Sequence, residues 1–322
     1  PGNVEWVVGY DAKADKFLDT NIKYKLGGNS SHFIQLGQYK QPNSLEELSS
    51  TKNNDFISKA AVTNTYAVAR RLGGAWGYGQ DNWSVTASAF GRELTRNLAH
   101  GSGYGARGTF APINEKGQVL HFGLSYVAYD TDADTLRVRA RPNADLATVR
   151  LVDSGNMVDT DRVTTLGLEA MYIGGPFKAQ GEYYSSKAKR MANDNYTSDG
   201  YYVSGLWNIT GETWGYKGGV PGTGLPDNPA SGMWQLGARY DHMDLNDGNL
   251  SANPVAGRPP IVDGVLGGKM DIWTVGVNYY WRSNTKFALN YVMVDSQKYS
   301  SSVRGFVNDD PNILEARLQF FW

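Results

Sequence analysis

The last nine residues, LEARLQFFW (Leu314–Trp322), decide how the rest of the chain is interpreted. Apolar side chains recur there at every second position, and the polar residues Glu315, Arg317 and Gln319 lie between them. Successive side chains of a β-strand point to opposite faces. The segment therefore predicts a strand with one apolar face and one hydrated face, and the chain stops on an aromatic residue at its end.

The same alternation recurs along the chain. Clear examples are Trp83–Phe90, Leu120–Tyr126, Leu166–Tyr172, Phe177–Tyr183, Trp234–Tyr240, Trp273–Trp281 and Phe287–Met293. With the weaker segments, including a fourth strand placed at Asn64–Trp76, the pattern predicts about fourteen antiparallel strands. Short turns such as Gly79–Asn82 alternate with long loops, which is the connection pattern of an outer-membrane β-barrel. The long segment Gly211–Ser231 breaks this rule, and the sequence offers no account of it.

Composition supports a membrane barrel. The chain has 322 residues and 41% apolar residues, yet it contains no apolar run of the roughly eighteen residues that a transmembrane helix needs. The 20 Tyr and 9 Trp suit the aromatic girdles at the two membrane interfaces. A secreted β-sandwich or solenoid would also alternate, but the strands are long and the aromatic residues lie at their ends. We expect an all-β transmembrane antiparallel barrel, one domain over residues 1–322, in the bacterial outer membrane.

The residue inventory argues against catalysis. Cys is absent, which excludes thiolate metal sites, disulfides and Cys nucleophiles. The four His residues are scattered, and no G-x-S-x-G, H-E-x-x-H or P-loop motif is present. We expect no enzymatic activity, no cofactor, no metal and no nucleic-acid partner. The net charge of −1 does not bear on ion selectivity, which depends on where charges lie.

The most specific polar feature is Arg137, Arg139 and Arg141, at every second position of a loop placed at residues 129–161. In an extended segment the three guanidinium groups lie on one face, about 6.5–7 Å apart. Like charges at this spacing repel one another unless an anion lies between them, and arginine matches phosphate oxygens. An exposed edge strand with hydrated charges is the alternative. Arg107 and one of the adjacent residues Arg70 and Arg71 are also predicted to face the lumen, and Arg71 and Arg107 are further candidate anion-binding residues.

These features resemble one family. Leu36–Lys40, Ser44–Glu47, Ser49–Lys52 and Phe56–Lys59, followed by the alternating arginines before Pro142, are similar to the constriction loop and arginine staircase of the phosphate-selective porins O and P. The resemblance covers nearly the whole chain. It implies a trimeric barrel of about sixteen strands with a loop, here residues 40–63, folded into the lumen. Arg137, Arg139 and Arg141 would then lead phosphate or polyphosphate to a constriction at Lys59, with Lys52 nearby.

The resemblance also shows two departures. Members of the family carry an upstream strand pair, and Pro1 begins where the strand after that pair would begin. We therefore expect that an N-terminal strand pair is missing here or that this is a smaller barrel. A family lysine falls on Glu47, which would oppose an anion, and Lys40 is expected to compensate. The expected partners are phosphate-type anions, outer-membrane lipid and lipopolysaccharide, and two further copies of the chain. The alternatives are a general or sugar-specific porin and a plugged structural or adhesive barrel.

Overall fold

The computed structural model describes residues 2–28, 31–95, 101–282 and 284–321. Trp322, the turn residues Asn29, Ser30 and Ser283, and His100 lie outside the described residues. The strands are β1 (Val4–Asp11), β2 (Lys16–Lys25), β3 (Phe33–Lys40), β4 (Arg70–Gln80), β5 (Trp83–Phe90), β6 (Gly103–Glu115), β7 (Gln118–Asp130), β8 (Arg139–Ala140), β9 (Val152–Asp153), β10 (Thr160–Gly174), β11 (Phe177–Arg190), β12 (Tyr196–Asn208), β13 (Gly215–Lys217), β14 (Val220–Gly222), β15 (Met233–Ser251), β16 (Ile261–Trp281), β17 (Thr285–Ser300), β18 (Gly305–Asp309) and β19 (Asn312–Phe320). Two α-helices, α1 (Leu45–Leu48) and α2 (Ala61–Tyr66), and 3₁₀ turns at Leu26–Gly28 and Thr51–Asn53 complete the elements.

In the described residues, one antiparallel sheet contains fifteen of these strands, and from β1 to β17 each pairs with the strand of the sheet that comes next in sequence, with β7 beside β10 and β12 beside β15. Strands β18 and β19 both pair with β17, at its two ends, so they form one interrupted strand. The sheet therefore has fourteen strand positions, as the sequence predicted. Among the described residues β1 pairs only with β2 and β19 only with β17, so pairing between the two edges is not shown. No helix in the described parts of the chain combines enough length and hydropathy to cross a membrane.

The predicted alternation is present on both faces of the sheet. Leu124 and Leu168 point outward and are 52% and 47% exposed, whereas Glu169, one position further along β10, is 6% exposed on the inner face. The outer face is apolar along most strands, and the inner face carries buried polar and charged residues. An apolar outer face and a polar inner face are the pattern of a membrane β-barrel, and the predicted all-β antiparallel fold is confirmed.

The inner face surrounds two long loops. The first, called the helical loop here, is residues 41–69 between β3 and β4, and the second, the arginine loop, is residues 131–159 between β7 and β10. Side chains from strands all around the sheet hydrogen-bond to the helical loop, among them Ser88 of β5, Ser125 of β7, Glu182 of β11, Asp241 of β15, Asn278 of β16, Lys286 of β17 and Arg317 of β19. The sheet therefore curves around this loop.

The prediction of a strand from Asn64 to Trp76 is wrong in its first half. Residues Ala61–Tyr66 form α2, and the strand begins only at Arg70. Val62 and Tyr66 are four residues apart, so they lie on one face of α2 and pack with Tyr184, Tyr202 and Met243 of the inner wall. Tertiary packing of this apolar face selects the helix over the strand that local alternation favoured.

A pair of neighbouring substitutions tests the assignment of faces. Leu36 is 62% exposed on the outer face of β3, and Gln35 donates a hydrogen bond to Asn21 on the inner face. L36R is expected to destabilise the folded barrel by about 2–4 kcal/mol in lipid, because the charge enters the hydrocarbon region, whereas Q35R should have little effect. Equilibrium unfolding from lipid vesicles measures both variants, and equal losses of stability would contradict the assignment.

Candidate functional site

The helical loop is fixed at its first helix by Glu182 of β11. The Glu182 carboxylate accepts hydrogen bonds from the backbone N–H groups of Leu45 at 2.9 Å and Glu46 at 2.8 Å. Tyr184 and Tyr202 donate to the same carboxylate at 2.7 and 2.9 Å, and Ser44 caps the helix by accepting from Glu47 N–H. A buried carboxylate with four donors is well satisfied, so the start of α1 is held firmly against the wall.

Glu47 bridges two of the predicted anion-binding lysines. Its carboxylate contacts Lys59 and lies 3.6 Å from the ammonium of Lys40, which also donates to the Glu47 and Ser49 carbonyls. All three side chains are largely buried. The expectation that Lys40 offsets Glu47 therefore has a direct geometric basis. Two ammonium groups share one carboxylate, so this cluster offers one positive charge rather than two.

Lys52 lies apart from this cluster. It is exposed in the 3₁₀ turn after α1, and it forms no ion pair with any residue that the structure describes. Its charge remains hydrated.

The arginine loop folds inward rather than out into solvent. Ala140 belongs to an apolar cluster that includes residues of α2 and of the inner wall, and Val138 packs against it. Leu136 and Val138 also pack against a second cluster that includes Ala188, Tyr196 and Val265. The three arginines are on the opposite, more exposed face. Within the segment Leu136–Arg141, Arg139 and Ala140 form the short strand β8. This strand pairs with β9, with Ala140 opposite Val152.

The three arginines differ in their partners. Arg137 donates two hydrogen bonds to Asp153, at 2.8 and 2.5 Å, so its charge is compensated within the loop. Arg141 donates to the Asp145 carbonyl at 3.1 Å, which leaves its charge without a counter-ion at that contact. Of the three arginines predicted to lie on one face, Arg137 is therefore the one whose charge a carboxylate, Asp153 of β9, neutralises.

Arg139 and Arg141 instead share a cavity with Arg150, a residue that the sequence argument missed. The cavity has a volume of about 240 Å³ and is also lined by Ala61, Asn64 and Thr65 of α2. Partial burial and the neighbouring guanidinium groups of Arg141 and Arg139 lower the pKa of Arg150. Arg150 follows no alternation with the other two. It reaches them because β9 folds back onto β8, a pairing that two-residue strands do not reveal in a sequence.

Arg71 and Arg107 face inward but are engaged differently from the prediction. The Arg71 guanidinium lies about 6 Å from the rings of Phe90 and Tyr129. Arg107 is fully enclosed and binds both oxygens of the Glu169 carboxylate, the shortest contact being 2.5 Å. Glu169 neutralises the charge of Arg107 at this position, so Arg107 is not among the residues that we propose to bind the anion.

The unexplained segment Gly211–Ser231 enters the interior as a β-hairpin. This inner hairpin, β13–β14, accepts a hydrogen bond from Arg107 at the Gly219 carbonyl, at 2.7 Å. Its Tyr216 hydroxyl lies 2.6 Å from Nδ1 of His121, whose Nε2 is 2.9 Å from Glu169. The Arg107–Glu169–His121 network thus supports the hairpin on the inner wall, beside the helical loop.

Trp214 anchors the inner hairpin. It is 2% exposed and packs with Leu45 of α1 and with apolar residues of the inner wall. W214A is expected to remove about 3–5 kcal/mol of packing and to loosen the hairpin, which should increase single-channel conductance and its fluctuations. W234A removes the same side chain from the outer face and is expected to leave conductance unchanged. Equal conductance traces in planar bilayers would contradict this role for the hairpin.

Comparison with known proteins identifies the family of the chain. The family model described as phosphate-selective porin O and P matches residues 3–322. An uncharacterized protein of Caulobacter vibrioides is 27% identical over 97% of this chain and 64% of its own length, and Porin O of Pseudomonas aeruginosa is 30% identical over 66% of this chain and 52% of its own length. The chain thus spans between about half and two thirds of these curated relatives.

Solved structures show the same fold. Outer-membrane expressed OmpT of Vibrio cholerae superposes with a TM-score of 0.57 at 12% identity, covering 100% of this chain and 84% of that one. The trimer form of in-vitro folded OmpT gives a TM-score of 0.55 at 11% identity over 95% and 81% of the two chains. The family match spans almost every residue, and the neighbours are outer-membrane barrels. The chain belongs to the phosphate-selective porin O and P family.

Proposed function

We propose that this porin is an anion-selective diffusion channel for phosphate-type solutes. The observation that carries the proposal is the cavity shared by Arg139, Arg141 and Arg150, in which three guanidinium groups face one space beside α2. Asp145 also lines this space, so three guanidinium groups stand against one carboxylate. A phosphate or a short polyphosphate supplies the remaining negative charge, and its oxygens match guanidinium donors.

The proposed path leads from this arginine cavity along the helical loop to the cluster of Lys40, Glu47 and Lys59. Both sites belong to loops that fold into the interior, and both are more positive than negative. Several weak sites in series allow an ion to enter and still leave, which a single strong site would prevent. Because Glu47 reduces the charge of the inner site, we propose that the channel binds phosphate-type anions weakly and passes them readily.

Ion selectivity in planar bilayers tests this function. The reversal potential in a potassium chloride gradient is expected to show anion preference, and added phosphate is expected to reduce the chloride current. Cation preference, or no block by phosphate, would support a general porin instead. Absence of conductance would support the plugged barrel, in which the inner hairpin and the two inward loops would fill the lumen.

We propose a homotrimer as the assembly. One solved relative in fold, OmpT of Vibrio cholerae, is described in a trimer form, and the resemblance to the family implies the same state. Mass measurement in mild detergent distinguishes a trimer from a monomer, and a single species at about 35.4 kDa of protein would contradict the proposal.

A further inference from the structure

We propose that Asp241 and Arg239, neighbours on the inner face of β15, act as a positioning pair that docks the arginine loop onto the helical loop. This inference rests on the proposed function, because it concerns how the arginine cavity is held in place. Both side chains are 1% exposed. Their mutual contact, Arg239 Nε to Asp241 Oδ2, is 2.9 Å.

Asp241 binds both loops with one carboxylate. Its Oδ1 accepts the backbone N–H of Ala61, the first residue of α2, at 2.9 Å. Its Oδ2 accepts the side-chain amide of Asn143 in the arginine loop at 2.7 Å. Ala61 lines the arginine cavity, and Asn143 is two residues beyond Arg141. The carboxylate therefore determines how far Arg141 lies from α2.

Arg239 holds the other side of the helical loop. Its Nη1 donates to the Ser58 carbonyl at 3.1 Å and lies 3.3 Å from Glu46, and its guanidinium stands 4.8 Å from the centre of the Phe56 ring. Ser58 in turn accepts the backbone N–H of Asp145 through its Oγ at 3.0 Å. The two loops thus meet at a second contact, whose position Arg239 fixes.

This arrangement makes the Asn143–Asp241 contact a selective anchor of the arginine loop. Breaking it leaves the contacts of Asp241 with Ala61 and Arg239 in place, so the helical loop stays anchored, while the arginine loop keeps only its contact through Ser58 and Asp145 at this junction. Charged hydrogen bonds between buried partners are among the stronger ones, and they have a fixed direction. Loss of this bond is therefore expected to displace Arg141 without removing any charge.

The variant N143A tests the proposal by two independent measurements. Because the chain has no Cys, a spin label on L146C, a position that is 83% exposed in the arginine loop, reports on that loop alone. Label mobility is expected to increase in N143A. Phosphate block of the chloride current is expected to weaken by up to about fivefold, the contribution of one charge about 4 Å from the anion, because only Arg141 is displaced.

A double-mutant cycle separates positioning from general disruption. If Asn143 acts through Arg141, N143A combined with R141A should weaken block no more than R141A alone. Additive effects would overturn the proposal. The matched control is N208A, which removes a fully buried Asn that donates to the Glu212 carbonyl at 2.7 Å at the base of the inner hairpin. N208A should change neither label mobility nor block.

The remaining outcomes are also decisive. If N143A does not insert, N143S takes its place, since a serine hydroxyl is one atom too short to reach Asp241 and the same results are expected. Unchanged label mobility would overturn the docking role, whatever happens to block. Increased mobility in a channel whose wild type shows no phosphate block would support the docking and refute the proposed function instead.

Discussion

Simultaneous replacement of Arg139, Arg141 and Arg150 by alanine is expected to weaken phosphate block of the chloride current by about one to two orders of magnitude. Each unit charge about 4 Å from a permeating anion contributes roughly 1 kcal/mol when the surroundings are water-like, and tenfold corresponds to about 1.4 kcal/mol. The three side chains line one cavity, so their contributions act on the same ion. Block is measured as the phosphate concentration that halves the chloride current, and reversal potentials should show a parallel fall in anion preference.

The matched control is R137A. Arg137 has the same side chain in the same loop, but Asp153 compensates its charge through two hydrogen bonds. Its removal should change block by less than about twofold, as is common for exposed ion pairs. A triple variant that retained wild-type block, or an R137A variant that lost it, would show that the arginine cavity is not the anion site.

The second large effect is expected in the opposite direction. E47Q keeps the size of the side chain and removes the carboxylate that Lys40 and Lys59 share. Two largely buried ammonium groups then lie close together without a counter-ion, and a permeating anion takes the place of the lost carboxylate. We expect phosphate block to strengthen by about fivefold or more, since one charge at this distance contributes roughly 1 kcal/mol.

The variant E115Q separates the effect of where the carboxylate lies from the effect of the protein's net charge. Glu115 lies at the exposed end of β6, and its neutralisation changes the net charge of the protein by the same amount. Anion preference measured by reversal potential should rise in E47Q and remain unchanged in E115Q. If both variants shift equally, the effect is one of overall charge, and the Lys40–Glu47–Lys59 cluster does not control selectivity.

Much of the fold follows from short-range pattern. Leu168 and Glu169 face opposite sides because strand side chains alternate, and this needs no knowledge of neighbouring strands. The number of strand positions and the order of the strands follow from the same alternation combined with short turns. The same local reasoning failed at Asn64–Ala69, where the inner wall offers an apolar surface that only a helix with Val62 and Tyr66 on one face can cover.

The candidate site divides in the same way. The sequence by itself placed Arg137, Arg139 and Arg141 on one face of an extended segment and identified Glu47 as an unfavourable charge near Lys40 and Lys59. It could not show that Asp153 neutralises Arg137, that Glu169 neutralises Arg107, or that Arg150 completes the cavity. Alternation is set by the local geometry of each strand, whereas charge compensation depends on residues brought together across the barrel, and only the tertiary structure decides which of them meet.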